Sequence, residues 1–141
     1  MKEAVDGGAK LIMGGNKVSD TVYAPTILLN PPADATISQN EVFGPVVCVY
    51  SYSDIDDAIA RANSLDVSFQ ASIFTKNFDT AMKATQKLNG MAIMVNDHTA
   101  FRVDWMPFGG HKKSGMGVGG IGQSMEEMTI EKLIVFKSAE L

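Results

Sequence analysis

Residues 96–120 hold the side chains best suited to chemistry. The stretch runs Asn96-Asp97-His98 and then through AFRVDWMPFGGHKKSGMGVGG. Phe101, Trp105 and Phe108 offer apolar walls, and Arg102 and His98 offer polar groups. A mostly apolar pocket with few polar groups is what a small-molecule site needs. A second candidate is NEVFGPVV, residues 40–47, where Glu41 stands two positions before Phe43 and a Gly-Pro turn follows. Read from the residues alone, Glu41 caps a turn and Phe43 enters the core. His98 reads as a satisfied loop histidine and His111 as solvent-facing, and two histidines without clustered cysteines or carboxylates give no metal site. The glycine run 115–120 follows a long loop, not a strand, so it is not a dinucleotide fingerprint. Lys112 and Lys113 read as solvated. Cys48, inside VVCVY, has two apolar neighbours on each side. It reads as a buried thiol whose pKa rises, and not as a nucleophile.

The elements around these residues alternate between two periodicities. PVVCVYSY (45–52) reads as a buried strand. Ser53 is a candidate N-cap, with Asp56 completing a capping-box-like start. Ile55, Ala58, Ile59 and Ala62 then follow one helical face. QASIFT (70–75) is the next strand. Asn77 caps a second helix whose inner side carries Phe78, Ala81, Met82 and Leu88, and Asn89-Gly90 ends it in a left-handed cap. MAIMV (91–95) is a third strand. The order predicts an α/β fold with a parallel βαβαβ core and right-handed crossovers. Upstream, AKLIMGG and VYAPTILL predict two more strands, and Pro25 puts the second at an edge or marks its start. TIEKLIVFK (129–137) predicts a terminal strand extension with no nearby partner in sequence. In a parallel α/β sheet ligands bind beyond the carboxyl ends of the strands, where residues 96–120 begin. So long a loop inside a compact domain is usually functional.

Bulk properties set the class. The chain has 141 residues, 45% hydrophobic and 20% charged, with net charge −4. That is one soluble domain's length and composition. The acidic balance points to no nucleic acid and no anionic membrane surface. No apolar run spans a bilayer and the N-terminus has no signal-peptide core. The single cysteine fits a reducing compartment, and a cytoplasmic location is expected. Phenylalanines and methionines outside the motifs are expected in the core.

EVFGP, PTILL, FTKNFDTA, MPFGGHKKSGMG and the ending MEEMTIEKLIVFK resemble, in order and spacing, the C-terminal part of aldehyde dehydrogenases. The resemblance covers essentially the whole chain. It implies residues 1–128 as part of a catalytic domain and 129–141 as a C-terminal strand for oligomerisation, pairing with a neighbouring subunit through 129–137. It implies NAD or NADP as cofactor and an aldehyde as substrate. Glu41 would accept both hydroxyls of the nicotinamide ribose, which an acceptor-only carboxylate can do, and Phe43 would pack near the nicotinamide. Phe108 would line the aldehyde tunnel, or else sit in the core. Arg102 would bind an anionic group on the substrate bidentately, or else pair with Asp104 or Asp97. Within the family the motifs look most like the branch acting on small oxygenated or anionic aldehydes. LDVSFQA (65–71) stands where many members carry a Tyr-Gly-Leu run. The family's nucleophilic cysteine, general-base glutamate, oxyanion-hole asparagine and Rossmann portion match nothing here. No catalytic residue is therefore assigned, and the missing N-terminal Rossmann portion is an expected partner. An isolated chain is expected to be inactive. The alternative is a non-catalytic interaction or oligomerisation module derived from the family.

Overall fold

The structure, a computed structural model, describes residues 1–140. The chain divides into two compact units, residues 1–58 and 59–141.

The first unit opens with α1 (Lys2–Asp6), followed by β1 (Lys10–Met13), β2 (Thr26–Leu29), α2 (Thr36–Gln39) and β3 (Val46–Val49). The sheet order is β1-β2-β3, with β1 antiparallel and β3 parallel to β2. Thr26 follows Pro25 directly, so the proline starts a central strand and the edge alternative falls away. The core gathers Leu28, wholly buried, with Ala4, Ala9 and Ala35, and Cys48 packs against it. Among the described residues Thr26 is the one buried polar side chain, and it lies beside this core. Its hydroxyl donates to the Ala24 carbonyl at 2.7 Å and accepts from the Gly15 amide at 2.8 Å, so its burial is compensated. Gly14 is needed here. Its φ is +72° and a β-carbon would collide with the Pro25 carbonyl oxygen. α2 has no side-chain cap of its own, and Glu3 of α1 accepts from the Thr36 amide at 3.1 Å instead.

α3 (Ile55–Asn63) carries the chain across the boundary between the units. It begins after Asp54, whose Oδ1 accepts from the Asp56 amide at 2.7 Å. Asp54 thus takes the capping position expected for Ser53, because a carboxylate placed one residue later meets the same free amide. Ile59 is buried and Ile55 and Ala58 half-buried, whereas Ala62 is exposed.

The second unit continues with β4 (Val67–Ser68), β5 (Gln70–Ile73), α4 (Phe78–Lys87), β6 (Ala92–Val95), β7 (His111–Lys112) and α5 (Ile121–Glu127). β5 and β6 pair in parallel, from Gln70 with Ala92 to Ile73 with Val95, with α4 as the crossover. The α/β class and the strand order follow expectation. The hydrogen bonding of β3 goes to β2, not to β5. Asn77 caps α4, its Oδ1 accepting from the Thr80 amide at 2.8 Å. The inner side of α4 is made by Ala81 and Ala84, both buried, with Leu88 half-buried. Phe78 is 75% exposed and Met82 is exposed, against expectation. α4 packs against β6, and the larger side chains of the helix lie outside that packed face. The helix ends at Leu88 with extended backbone, and Gly90 is not left-handed. Asn63 serves that end instead: its Nδ2 donates to the Lys87 carbonyl at 2.7 Å and its Oδ1 accepts from the Asn89 amide at 2.9 Å.

Many large apolar residues expected inside are exposed, including Phe43, Phe74, Phe78, Met116, Met125 and Met128. The first unit pairs three strands and the second two separate pairs of strands, with short helices, too little mass to enclose them. Residues 129–137 form no strand with any partner among the described residues. A strand needs a ladder to pair with, and Ile130, Leu133, Ile134, Val135 and Phe136 all face outward.

Candidate functional site

In the first unit, the 41–45 turn is built by backbone bonds. The Gly44 amide donates to the Val42 carbonyl at 2.9 Å, and the Val46 amide donates to the Gly44 carbonyl at 2.8 Å. The Pro45 carbonyl accepts from the Thr26 amide at 2.8 Å, which ties the turn to the central strand. Ahead of that anchor Glu41 is exposed and Phe43 is 94% exposed. The reading of Phe43 as a core residue is overturned: one pinned edge projects both side chains to solvent. No hydrogen bond or ion pair engages the Glu41 carboxylate among the described residues. An exposed, acceptor-only carboxylate beside an exposed aromatic fits a sugar diol with a flat ring attached. Cys48, on β3 behind the turn, is half-buried, and burial pushes its thiol pKa up. That leaves it a poor nucleophile at neutral pH, as the apolar flanks predict.

In the second unit, residues 96–120 leave the carboxyl end of β6. Asn96, in the left-handed region at φ +58°, fixes the exit. Its Oδ1 accepts from the Thr75 amide at 2.8 Å and its Nδ2 donates to the Thr75 carbonyl at 2.9 Å. The stretch is tied by backbone pairing at two points. β7 pairs antiparallel with β4, and Phe108 and Gly119 exchange backbone bonds at 2.9 and 2.7 Å. His98 is satisfied locally, its Nδ1 accepting from the Ala100 amide at 3.1 Å.

Arg102 and Phe108 come together. The guanidinium carbon lies 4.3 Å from the centroid of the Phe108 ring. Arg102 forms no ion pair with Asp97 or Asp104, nor any hydrogen bond among the described residues, so its five N–H donors stay available. Phe108 is 41% exposed and is therefore not a core residue. Its ring meets Phe69 edge-to-face, centroids 5.1 Å apart at 84°. Phe69 escaped the sequence reading. Its one signal was the departure of LDVSFQA from the usual run.

The lysines of this stretch are engaged, not merely solvated. Lys112 Nζ donates to the Asn63 and Leu65 carbonyls at 2.7 and 2.6 Å, where α3 ends. Lys113 pairs with Asp66 at 2.5 Å. That bond and its charge hold the Asp66 carboxyl below the ordinary aspartate value. Among the described residues no group of three histidine, cysteine, aspartate or glutamate side chains could hold a metal, and no helix is long and apolar enough to cross a membrane.

The model of the aldehyde dehydrogenase family matches residues 1–134, and the chain belongs to that family. It is 44% identical over 135 residues to a 3-sulfolactaldehyde dehydrogenase of Priestia aryabhattai, covering 96% of this chain and 28% of that protein. It is 38% identical to a lactaldehyde dehydrogenase of Methanococcus maripaludis, covering 96% of this chain and 29% of that one. Among solved structures, aldehyde dehydrogenase 21 from Physcomitrella patens, in complex with the reaction product succinate, superposes with a TM-score of 0.85 at 38% identity, over 90% of this chain and 26% of that one. The NADP-dependent glyceraldehyde-3-phosphate dehydrogenase of Bacillus halodurans, complexed with NADP, gives 0.87 at 35% identity, over 93% and 27%. The chain thus spans under a third of the length of these relatives.

Proposed function

We propose that this chain is the C-terminal part of a cytoplasmic NAD(P)-dependent aldehyde dehydrogenase acting on a small oxygenated or anionic aldehyde. The reaction class is oxidation of an aldehyde to a carboxylic acid through a thiohemiacetal on a cysteine that this chain does not carry. NAD(P)+, when bound, accepts the hydride. The residues of this chain bind and orient. Glu41 accepts the two ribose hydroxyls, Phe43 limits the positions of the nicotinamide, Phe108 walls the aldehyde passage, and Arg102 takes the anionic end of the substrate. Orientation of this kind supports a near-attack geometry. Residues 129–137 supply a strand to a neighbouring subunit.

The observation that carries this reading is the turn at 41–45. An unengaged carboxylate and an exposed ring stand together just ahead of the Thr26–Pro45 bond, in the EVFGP stretch that resembles the family. Relatives named for sulfolactaldehyde and lactaldehyde support the substrate class. Charge-assisted bonds are worth about 1.5–3 kcal/mol each. Glu41→Gln in the complete enzyme is therefore expected to raise the KM for the dinucleotide, or to lower turnover, by about tenfold or more. Unchanged kinetics with the dinucleotide would remove the assignment.

A further inference from the structure

Phe69 occupies the single position between β4 and β5, where the chain passes from the ribbon with β7 to the parallel pair with β6. Its carbonyl accepts from the Met91 amide at 2.8 Å, so its backbone is fixed at that junction. The backbone of Phe108 is fixed independently, by the reciprocal pair of hydrogen bonds with Gly119. What the backbone leaves open is the ring of Phe108, and Phe69 meets that ring edge-to-face. Arg102 lies on irregular chain, and its guanidinium stacks on the same ring.

We propose that Phe69 is a positioning residue for substrate selection: it fixes the Phe108 ring, which in turn holds the Arg102 guanidinium ready for a carboxylate or sulfonate on the aldehyde. This rests on the reading of Arg102 as the anion-binding group. A free arginine side chain samples many rotamers, and ordering it on binding weakens affinity. An aromatic face restrains the cation electrostatically and leaves the N–H donors of its edge available. Phe69 itself touches neither substrate nor cofactor in this scheme. Its effect passes through two contacts and falls on binding, not on turnover.

The sequence contains only two arginines, Arg61 and Arg102. Arginine-selective isotope labelling of the chain therefore gives an NMR spectrum of two side chains, assigned with R102A. The Arg102 δ-methylene signals are expected upfield, shielded by the Phe108 ring. They should stay there in F69Y, which keeps the ring, and move toward the free-arginine position in F69L. F69M is a second ring-free variant should F69L fail to fold. Unmoved signals in the ring-free variants overturn the proposal. In the complete enzyme, F69L should raise KM about two- to fivefold for a carboxylate- or sulfonate-bearing aldehyde. The kcat for that aldehyde should hold, and the KM for a neutral aldehyde of equal length, which meets the Phe108 wall but not the guanidinium, should rise clearly less. Equal losses on both substrates overturn the proposal. R102A measured alongside separates the two levels. If R102A harms both aldehydes equally, the anion reading falls and takes this inference with it. If R102A is selective and F69L is not, only the role of Phe69 falls.

Discussion

Lys112 Nζ donates to the Asn63 backbone carbonyl at 2.7 Å across 49 positions of sequence. The same Asn63 uses its side chain on the end of α4. One short segment therefore ties together the end of α3, the end of α4 and the stretch 96–120. A lysine at a helix C-terminus both satisfies orphan carbonyls and opposes the negative end of the dipole. It does so here from a left-handed backbone, φ +54°, which a non-glycine residue adopts at some cost.

Lys112→Met removes the ammonium and keeps the strained backbone. The variant should be less stable by about 1 kcal/mol, below the usual range for charged hydrogen bonds because the lysine is exposed. A urea titration measures this. Limited proteolysis should show faster cleavage within 96–120. An unchanged midpoint and an unchanged cleavage pattern would show that the latch contributes nothing.

The Asp66–Lys113 pair predicts a pH dependence. The folded-state pKa of Asp66 is lowered, first by the hydrogen bond from Lys113 and then by its charge. A depressed acid stabilises the fold above its unfolded-state value, about 3.9, and the contribution is lost as pH falls through the lower folded value. Lys113→Met should therefore sit below the unaltered chain in urea midpoint at pH 7, with the gap closing as pH falls below the ordinary aspartate range. A gap that stays constant with pH would remove the pair as its cause. The effect is small because both side chains are exposed.

Deleting 129–141 tests the assembly role. An unpaired apolar segment is a ready template for a strand of another chain. The complete enzyme lacking these residues is expected to drop to a smaller assembly by light scattering. An unchanged mass would show that the interface lies elsewhere.

Some of this protein was legible in the residues alone. Pro25 starts a strand because it has no amide to give a ladder. Asn77 caps α4 through an amide three positions away, and the apolar flanks of Cys48 foretell its raised pKa. The motifs at 41–45 and 106–110 foretold the family. Such features depend on neighbours a few residues apart, whose geometry the backbone dictates. Tertiary structure decided the rest. It put Ala81 and Ala84, not Phe78 and Met82, on the inner side of α4, a choice that helical periodicity alone leaves open. It turned Lys112 and Lys113 from solvated charges into ties, set Phe69 against Phe108, and took Arg102 away from its neighbouring aspartates. Contacts that close 40 or more positions of chain exist only once the strands have paired, and no local spacing encodes which side chains then meet.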